Sequence, residues 1–232
     1  MGQVALHRVG GLAQVIVILT ALVGVLGIVS TILTGLAIDD ARAFLRDEIT
    51  EDEFLDSYAA GALLGGAQGF AIVAILVLTM IWMYRLAANH RTLGRRGTWA
   101  PLWAIFGWFL PPVVLYVIPY LMFRELWRAS DPDQPVAGEG WRTGPVAPVV
   151  TVWWVLYGII PIVVLVWQGL DTIAGGIAET DAAAFAEMLD EQYTVSLVSA
   201  LVNAAAAVAY ILLVRGLTGR HRRLTGEDVA RR

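Results

Sequence analysis

The chain has 232 residues, of which 58% are apolar and 16% are charged, against roughly 25% charged residues in an average globular protein. Its mean hydropathy is +0.67, and its formal net charge is only −4. This composition excludes a solvated enzyme domain, a disordered tail and a nucleic-acid-binding module. The absence of cysteine excludes disulfides, thiol catalysis and cysteine-ligated metal sites.

Five stretches of the chain contain no Asp, Glu, Arg or Lys, and the shortest of them has 23 residues. A helix needs roughly 20 apolar residues to cross a hydrocarbon core of about 30 Å, and backbone in lipid must satisfy its own hydrogen bonds. We therefore predict an all-α, multi-pass membrane protein. The stretches are Val9–Ile38, Ser57–Tyr84, Gly97–Phe123, Thr143–Leu170 and Gln192–Val214.

The first stretch is about twice as long as the apolar region of a cleavable signal peptide, so we expect it to remain as the first span. An acidic segment follows it, in which Thr50 and Glu53 have the spacing of a capping box. This spacing predicts a helix that begins near Thr50 and runs into the second span. A second acidic segment, Asp181–Glu191, is also predicted to be helical, with Phe185, Met188 and Leu189 on one face.

The third stretch differs from the others because Pro111 and Pro112 lie at its middle. A pair of prolines removes two backbone donors and breaks or sharply kinks a helix. Each arm beside the pair is too short to span a bilayer. Two interpretations follow: a re-entrant hairpin that enters and leaves at one face, and a single kinked helix that spans.

The distribution of arginine favours the hairpin. All sixteen basic residues are Arg, and basic residues concentrate in cytoplasmic segments. Four spans with a re-entrant third stretch place fourteen Arg inside and two outside, whereas five spans place at most eleven inside. We therefore predict a single membrane domain over residues 1–232, with both termini cytoplasmic. Its parts are a helical pair with an acidic external loop (1–98), the re-entrant segment and a cytoplasmic turn (99–142), and a second helical pair with a basic tail (143–232).

Short motifs near the helix ends repeat. Arg85 is followed by His90 to Gly94, and Arg215 is followed by His221 to Gly226. Either a duplicated helical pair or chance explains so short a match. Within the spans, Gly61, Gly65 and Gly69 recur every four residues and allow close helix packing, while Asn203 is able to bond to a neighbouring helix. This packing is expected within one subunit, with homodimerisation as the alternative.

The chain lacks the patterns that catalysis or metal binding require. His7, His90 and His221 have no metal-ligand spacing, and no acidic residue lies deep in a predicted span. No phosphate-binding loop, nucleophile elbow or zinc-protease motif occurs. We expect neither enzyme activity nor a cofactor nor a metal site.

Charged residues at the predicted inner face are candidate lipid contacts. Arg124 and Arg128 are four residues apart and share a helix face, beside Glu125 and Trp127. Together with Arg85 they either hold anionic lipid headgroups or only fix topology and snorkel. The remaining candidates are Asn89, which follows Arg85 by one turn, and the prolines of the third stretch, Pro111, Pro112 and Pro119.

The central part of the chain contains a motif of aromatic, proline and arginine residues. These are Trp82–Arg85, Asn89, Leu93–Gly94, Trp103, Trp108–Pro112, Pro119–Tyr120 and Arg124–Ser130. With them, residues 60–215 resemble the bacterial membrane-protein family called domain of unknown function 4328. The resemblance implies an integral membrane protein typical of high-GC Gram-positive bacteria, without an assigned activity. The family pattern has an Asn, a basic residue and a Gln where Leu115, Ile118 and Leu121 stand here, so a polar ligand site in this segment is not expected.

The functional prediction is a non-enzymatic scaffold or accessory subunit of the bacterial plasma membrane. The alternative is a transporter or channel for small solutes or ions. The expected partners are the lipid bilayer, anionic lipid headgroups, and a second copy or an unknown membrane protein, but no nucleic acid. A continuous polar cavity that reaches the Pro111–Pro112 pair would favour transport, whereas a solid apolar interior would favour the scaffold.

Overall fold

The computed structural model describes residues 6–109, 112–136, 138–161 and 181–227. Regular structure within these ranges is helical, which confirms the predicted all-α class for them. A 3-10 turn at Gly140–Thr143 and a π-helical turn at Val155–Ile159 accompany the helices. The α-helices are α1 (Gly10–Leu36), α2 (Ile38–Leu45), α3 (Glu51–Thr92), α4 (Trp103–Phe106), α5 (Pro112–Ala129), α6 (Pro148–Trp154) and α7 (Ala182–Thr225).

Three of the described helical segments are long and apolar enough to cross a membrane. They are Gly10–Leu45, α3 and α7, with 36, 42 and 44 residues. They contain the first, second and last predicted spans. The fourth predicted span is described only as far as residue 161, as α6 and the π-helical turn. The rest of that span, and Leu110 and Pro111 of the third stretch, lie outside the described residues, so the count of four spans stays a prediction.

The helix ends follow the local sequence. The Thr50 backbone N–H donates to Glu53 Oε2 at 2.8 Å, and the Glu53 N–H donates to Thr50 Oγ1 at 3.4 Å, which confirms the predicted capping box. The other ends of α3 and α7 are closed by Gly94 and Gly226, whose φ angles are +85° and +70°. The left-handed conformation that glycine adopts there is the usual stop signal of a helix. The repeated motif of the sequence therefore forms the same helix end twice.

The chain forms two compact units. Unit 1 comprises Met1–Thr20, Val73–Val155 and Val208–Arg232, and unit 2 comprises Ala21–Ile72 and Leu156–Ala207. α1, α3 and α7 each contribute residues to both units.

The core of unit 1 is aromatic. Trp82 and Phe123 are fully buried, and their ring centroids lie 6.2 Å apart. Trp153 lies 5.0 Å from Phe123 and 5.6 Å from Tyr210. The Tyr210 hydroxyl shares a hydrogen bond of 2.5 Å with Thr79 Oγ1. These rings join α3, α5, α6 and α7 through the large contact areas and edge-to-face geometry that aromatic side chains provide.

The beginning of α1 closes unit 1 at the end where α3 and α7 terminate. Glu227, which follows α7, accepts the backbone N–H of Val9 at 3.3 Å and that of Gly10 at 3.2 Å. The first turn of a helix has unpaired N–H groups and a positive dipole end, so a carboxylate there is stabilising. The C-terminal segment of the chain thus supplies the cap of the first helix.

Unit 2 is held by small residues and by a satellite aromatic cluster. Ser30 Oγ of α1 donates to the Gly61 carbonyl of α3 at 3.0 Å. A Cβ on Gly61 would lie 3.2 Å from Thr34 Oγ1, whereas a Cβ on Gly69 would meet nothing within 4 Å. Of the three regularly spaced glycines, Gly61 thus makes the closest contact with α1, and Gly65 lies one turn further along.

The acidic segments of unit 2 fold onto each other. α2, which the sequence analysis did not predict, stacks Phe44 on Phe54 with centroids 5.3 Å apart. Phe185 of α7 lies 6.0 Å from Phe54, and Leu189 packs on the same cluster. Met188 is instead 37% exposed. The predicted helix over Asp181–Glu191 is confirmed from Ala182 onward. Phe185, Met188 and Leu189 have the spacing of one helix face, as predicted, and of the three Phe185 and Leu189 pack on the cluster.

Candidate functional site

A cationic pocket lies in unit 1, where the last turns of α5 meet the segments on either side of it. Its volume is about 350 Å³. Three guanidinium groups face it against a single carboxylate. We call it the arginine pocket; its lining residues are Thr98, Trp99, Leu121, Arg124, Glu125, Arg128, Trp141 and Arg142.

Glu125 organises the mouth of the arginine pocket. Its Oε2 accepts the Thr98 N–H at 2.8 Å, and its Oε1 accepts the Trp99 N–H at 3.2 Å. Both carboxylate oxygens are therefore engaged by backbone donors. Glu125 thus holds the beginning of the third stretch, at Thr98 and Trp99, against α5, which contains the end of that stretch.

Two arginines of the pocket, Arg124 and Arg128, contact neutral groups rather than acids. Arg128 Nε donates to the Gly144 carbonyl at 2.9 Å, and the Arg124 guanidinium lies 5.5 Å from the Tyr120 ring centroid. Within the described ranges, no carboxylate lies within 4.0 Å of either guanidinium. Arg142 differs, because it pairs with Glu139 at 3.0 Å. Two of the three cationic groups therefore retain an uncompensated charge.

Arg95 joins the two chain segments beneath the pocket. The residue is 1% exposed, and its guanidinium donates to the carbonyls of Ala129 at 2.6 Å and Asp131 at 3.0 Å, and to that of Gln134. Burial lowers the pKa of Arg95 below its usual value, yet an arginine remains charged at neutral pH. The carbonyl dipoles compensate this buried charge. The chain after α3 is thereby fixed to the chain after α5.

A buried polar network in unit 1 lies where α1 begins and where α3, α5 and α7 end. The His7 N–H donates to Asn89 Oδ1 at 2.8 Å, and Asn89 Nδ2 donates to the His7 carbonyl at 2.8 Å. These two bonds fix the orientation of the amide. The atom that lies 3.0 Å from His221 Nε2 is therefore Nδ2, which donates to it. His221 Nδ1 lies 3.2 Å from His90 Nε2, which in turn lies 3.1 Å from Ser130 Oγ.

His90 and His221 lack metal-ligand spacing in the sequence, yet they lie side by side in the structure. Their ring centroids lie 4.9 Å apart. The signal was present in the repeated motif, since two helices that end alike and run in parallel bring corresponding residues together. In the described part of the chain, no group of three or more His, Asp or Glu is arranged to hold a metal ion.

A second cavity lies in unit 2, between α1, α3 and α7. Its volume is about 280 Å³, and we call it the polar cavity. It is open at its edge, where Ser196 and Asn203 are exposed. The Thr31 hydroxyl donates to the Gly27 carbonyl at 2.9 Å, and the Ser30 hydroxyl is bonded to Gly61 as described above. The polar cavity is lined by Val23, Gly24, Gly27, Ser30, Thr31, Gln68, Ser196, Ser199, Ala200, Asn203, Ala204 and Ala207.

The predicted site residues are divided among these features. Arg124, Glu125 and Arg128 line the arginine pocket, and Asn203 lines the polar cavity. Asn89 belongs to the polar network. Arg85 instead donates to the Arg8 carbonyl at 3.1 Å, outside the pocket.

Trp127 also lies away from the pocket, because its ring is covered by the Arg220 guanidinium at 5.2 Å. Pro112 begins α5 and Pro119 is inside it, while Pro111 lies outside the described residues. Thr98, Trp99, Trp141 and Arg142 line the pocket but were not among the predicted site residues. Only the Trp–Arg pair at 141–142, which repeats the pair at 127–128, offered a signal for the last two.

No curated protein and no solved structure matches the chain. The sequence profile of the domain of unknown function DUF4328 matches residues 47–219. This range contains α3, the whole arginine pocket and most of α7. The family resemblance of the central motif is thereby confirmed over more of the chain than the motif itself covers, and the protein belongs to the DUF4328 family.

Proposed function

We propose that the protein is a non-enzymatic scaffold or accessory subunit of the bacterial plasma membrane, and that its arginine pocket holds an anionic lipid headgroup at the inner leaflet. The observation that carries the proposal is the charge balance of the pocket. Arg124 and Arg128 lack a carboxylate within 4.0 Å among the described residues, and the oxygens of Glu125 are taken by backbone N–H groups.

The chemistry of the lining fits a phosphate diester. Guanidinium groups bind phosphate oxygens through paired N–H donors, and arginine is the preferred residue for such contacts. Trp99 and Trp141 supply the amphipathic rings that tryptophan places at the headgroup level of a bilayer. A polybasic surface at the cytoplasmic side is also attracted to the negative charge of that leaflet.

The proposed topology has four spans, a re-entrant third stretch and cytoplasmic termini. Supporting it, the hydrogen bonds from Thr98 and Trp99 to Glu125 hold the two ends of the third stretch together. A kinked spanning helix would separate those ends by about 30 Å, the thickness of the hydrocarbon core. The arginine distribution of the sequence supports the same arrangement.

Single cysteines test the topology directly, because the native chain has none. Thr98→Cys and Asp133→Cys are exposed positions on either side of the third stretch. With an impermeant thiol reagent, both are expected to react only after the cells are opened. Glu51→Cys, in the first acidic segment, is expected to react in intact cells. Labelling of position 133 but not 98 from outside would refute the re-entrant arrangement.

Lipid retention tests the headgroup site. The full chain, purified in mild detergent and analysed by native mass spectrometry, is expected to retain cardiolipin or phosphatidylglycerol over phosphatidylcholine. Arg124→Gln/Arg128→Gln is expected to reduce this retention about tenfold, which corresponds to about 1.4 kcal/mol.

The matched control is Arg215→Gln/Arg223→Gln, which removes the same charge from exposed positions outside the pocket. It is expected to retain anionic lipid at the native level. An equal loss in both double variants would mean that only overall charge matters, and would refute a specific site.

Permeation of a small solute or ion is the second candidate function, favoured by the polar cavity of unit 2. Lipid-facing helices have no need of such a cavity, whereas a permeation pathway requires polar groups within the span. Proteoliposomes test it: uptake of glycerol or rubidium ions above that of empty liposomes is expected if the chain conducts. The absence of both fluxes would leave the scaffold as the function.

A further inference from the structure

We propose that His90 and His221 form an acid-sensitive latch, which holds the N-terminal segment to the ends of α3 and α7 while both imidazole rings are neutral and opens when either ring is protonated. The latch is the buried polar network described above, and its members are Asn89, His90, Ser130, His221 and the backbone of His7. All of them belong to unit 1. The inference goes beyond the proposed function, because it depends neither on a lipid headgroup nor on a permeating solute.

The direction of each hydrogen bond in the latch follows from the backbone of His7. A backbone N–H only donates and a carbonyl only accepts, so the Asn89 amide is held in one orientation, with Nδ2 towards His221 Nε2. His221 Nε2 therefore accepts and carries no proton. The proton of the neutral His221 ring is then on Nδ1, which donates to His90 Nε2 at 3.2 Å.

Protonation of either ring places two donors against each other, because an imidazolium donates from both nitrogens. On His221 the added proton would face the Asn89 amide, and on His90 it would face the Nδ1 proton of His221. Ser130 Oγ, 3.1 Å from His90 Nε2, is able to turn its hydroxyl and accept. Moving the His221 proton from Nδ1 to Nε2 only transfers the conflict to Asn89. The latched arrangement therefore requires two neutral rings.

The latch is buried and has no counter-charge for a protonated ring. His221 is 0% exposed and His90 is 3% exposed. Within the described ranges, no carboxylate lies within 4.0 Å of either imidazole. Arg95 lines a narrow gap together with His90, so a positive charge already lies on one side of the pair. A buried charge without a partner is costly.

The carboxylates on the elements around the latch are engaged elsewhere. Asp131 pairs with Arg220 at 3.3 Å. The oxygens of Glu125 accept the backbone N–H groups of the third stretch, and Glu227 accepts the first amides of α1. The permanently charged residues on the last turns of α3, α5 and α7 are arginines, namely Arg91, Arg128, Arg222 and Arg223.

The sign of the pH dependence follows from proton linkage. The latched state binds no added proton on either ring, whereas opening exposes the rings to water, where imidazole titrates near its ordinary pKa of about 6.5. The open state therefore binds more protons below that pH, and the latch loses stability as the pH falls. Between pH 7.5 and 5.5 the opening equilibrium is expected to rise about tenfold for each ring that titrates.

Opening of the latch exposes the start of the first helix. Val9 is 0% exposed and follows His7, whose N–H and carbonyl are both held by Asn89. The latch thus makes the docking of α1 against α3 and α7 depend on the pH at this end of unit 1.

A cysteine beside the latch tests the proposal in the purified full chain, since the native sequence has none. Val9→Cys places a thiol at the buried position. Its rate of reaction with 4,4′-dithiodipyridine, which also reacts in mild acid, is divided at each pH by the rate of Glu51→Cys, an exposed position in unit 2. This ratio is expected to rise at least tenfold between pH 7.5 and 5.5.

Two matched variants in the Val9→Cys background assign the response to the latch. His7→Gln removes a third, exposed histidine that takes part only through its backbone, and is expected to keep the tenfold rise. His90→Gln/His221→Gln removes both latch rings and is expected to show less than a twofold rise. The lower pH lies above the range in which carboxylates ordinarily titrate, so the ratio reports on histidine.

Two results would overturn the proposal. An unchanged ratio in the Val9→Cys protein would mean that the latch stays closed in acid, and an equal rise in the double variant would place the titrating group elsewhere. If Val9→Cys does not elute as a folded protein, Ala129→Cys, 2% exposed beside Ser130, reports on the same latch. If the double variant does not fold, His221→Gln alone is expected to lower the rise at least threefold. Lipid retention and solute flux are separate measurements, so each proposal fails separately.

Discussion

Each unit contains an asparagine on one of the long helices, and the two side chains are in opposite situations. Asn89 of unit 1 is 1% exposed and makes three hydrogen bonds, to both backbone groups of His7 and to His221. Asn203 of unit 2 is exposed, lines a cavity and has no side-chain bond among the described residues. A buried polar group whose bonds are complete contributes to stability, whereas an exposed one bonds to whatever surrounds it and contributes little to the packing.

The same contrast extends to the apolar residues. In unit 1, four aromatic residues from four helices contact one another. In unit 2, α1 and α3 meet at glycine, and several large side chains of α3 point outward, including Leu63 at 76% and Phe70 at 81% exposure. Unit 1 is therefore expected to carry most of the packing energy, and unit 2 most of the adaptable space.

The largest expected effect comes from the aromatic core. Phe123→Ala is expected to lower the free energy of unfolding by about 3–5 kcal/mol, because it removes a fully buried ring and leaves a cavity. Phe70→Ala, which removes an exposed ring from unit 2, is expected to change it by less than about 0.5 kcal/mol. Unfolding by sodium dodecyl sulfate in mixed micelles measures both. Equal losses would show that the two units are packed alike.

The asparagine pair gives the next largest effect. Asn89→Ala leaves the His7 backbone groups and His221 Nε2 without their partner, at an expected cost of about 2–3 kcal/mol. Asn203→Ala removes no bond and is expected to stay within about 0.5 kcal/mol of the native protein. The same unfolding assay applies. A greater loss at position 203 than at 89 would reverse the comparison between the two asparagines.

Within unit 2, substitutions of two glycines of α3 test how closely α1 and α3 approach. Gly61→Val is expected to cost about 1–3 kcal/mol by overpacking, since a Cβ there would lie 3.2 Å from Thr34 Oγ1. Gly69→Val meets open space and serves as the control, with an expected change of less than about 0.5 kcal/mol. Thermal denaturation in detergent ranks the two variants. A tolerant position 61 would show that α1 and α3 do not approach closely.

The smallest effect concerns a polar group of unit 2 that is fully partnered. Thr50→Ala removes one half of the capping box of α3 and is expected to cost about 1 kcal/mol. Ser57→Ala, one to two turns into the same helix, removes only a local bond to the Phe54 carbonyl and is expected to cost less. If Thr50→Ala has no effect, the start of α3 depends on the packing of Phe54 rather than on its cap.

Features that depend on residues close together in the sequence could be predicted from it. The capping box of Thr50 and Glu53, the all-helical class and the family motif each rest on residues close in the chain. Features that depend on how helices rotate against one another were not. His90 and His221 meet across 131 positions, and Arg142 enters the arginine pocket from a segment without regular periodicity. Gln68 and Asn203 were visible as polar residues within spans, but their convergence on one cavity requires the packed structure.

The carboxylate cap on α1 has a consequence for the order in which the protein is made. Glu227 follows Val9 by 218 positions, and a ribosome adds about 5–20 residues per second. The amides at the start of the first helix therefore wait on the order of ten to forty seconds for their acceptor, long after that helix has reached the membrane. Asn89 likewise waits for His221. Completion of unit 1 is thus a late event of biogenesis, and a ribosome that stalls within α7 leaves the first helix uncapped.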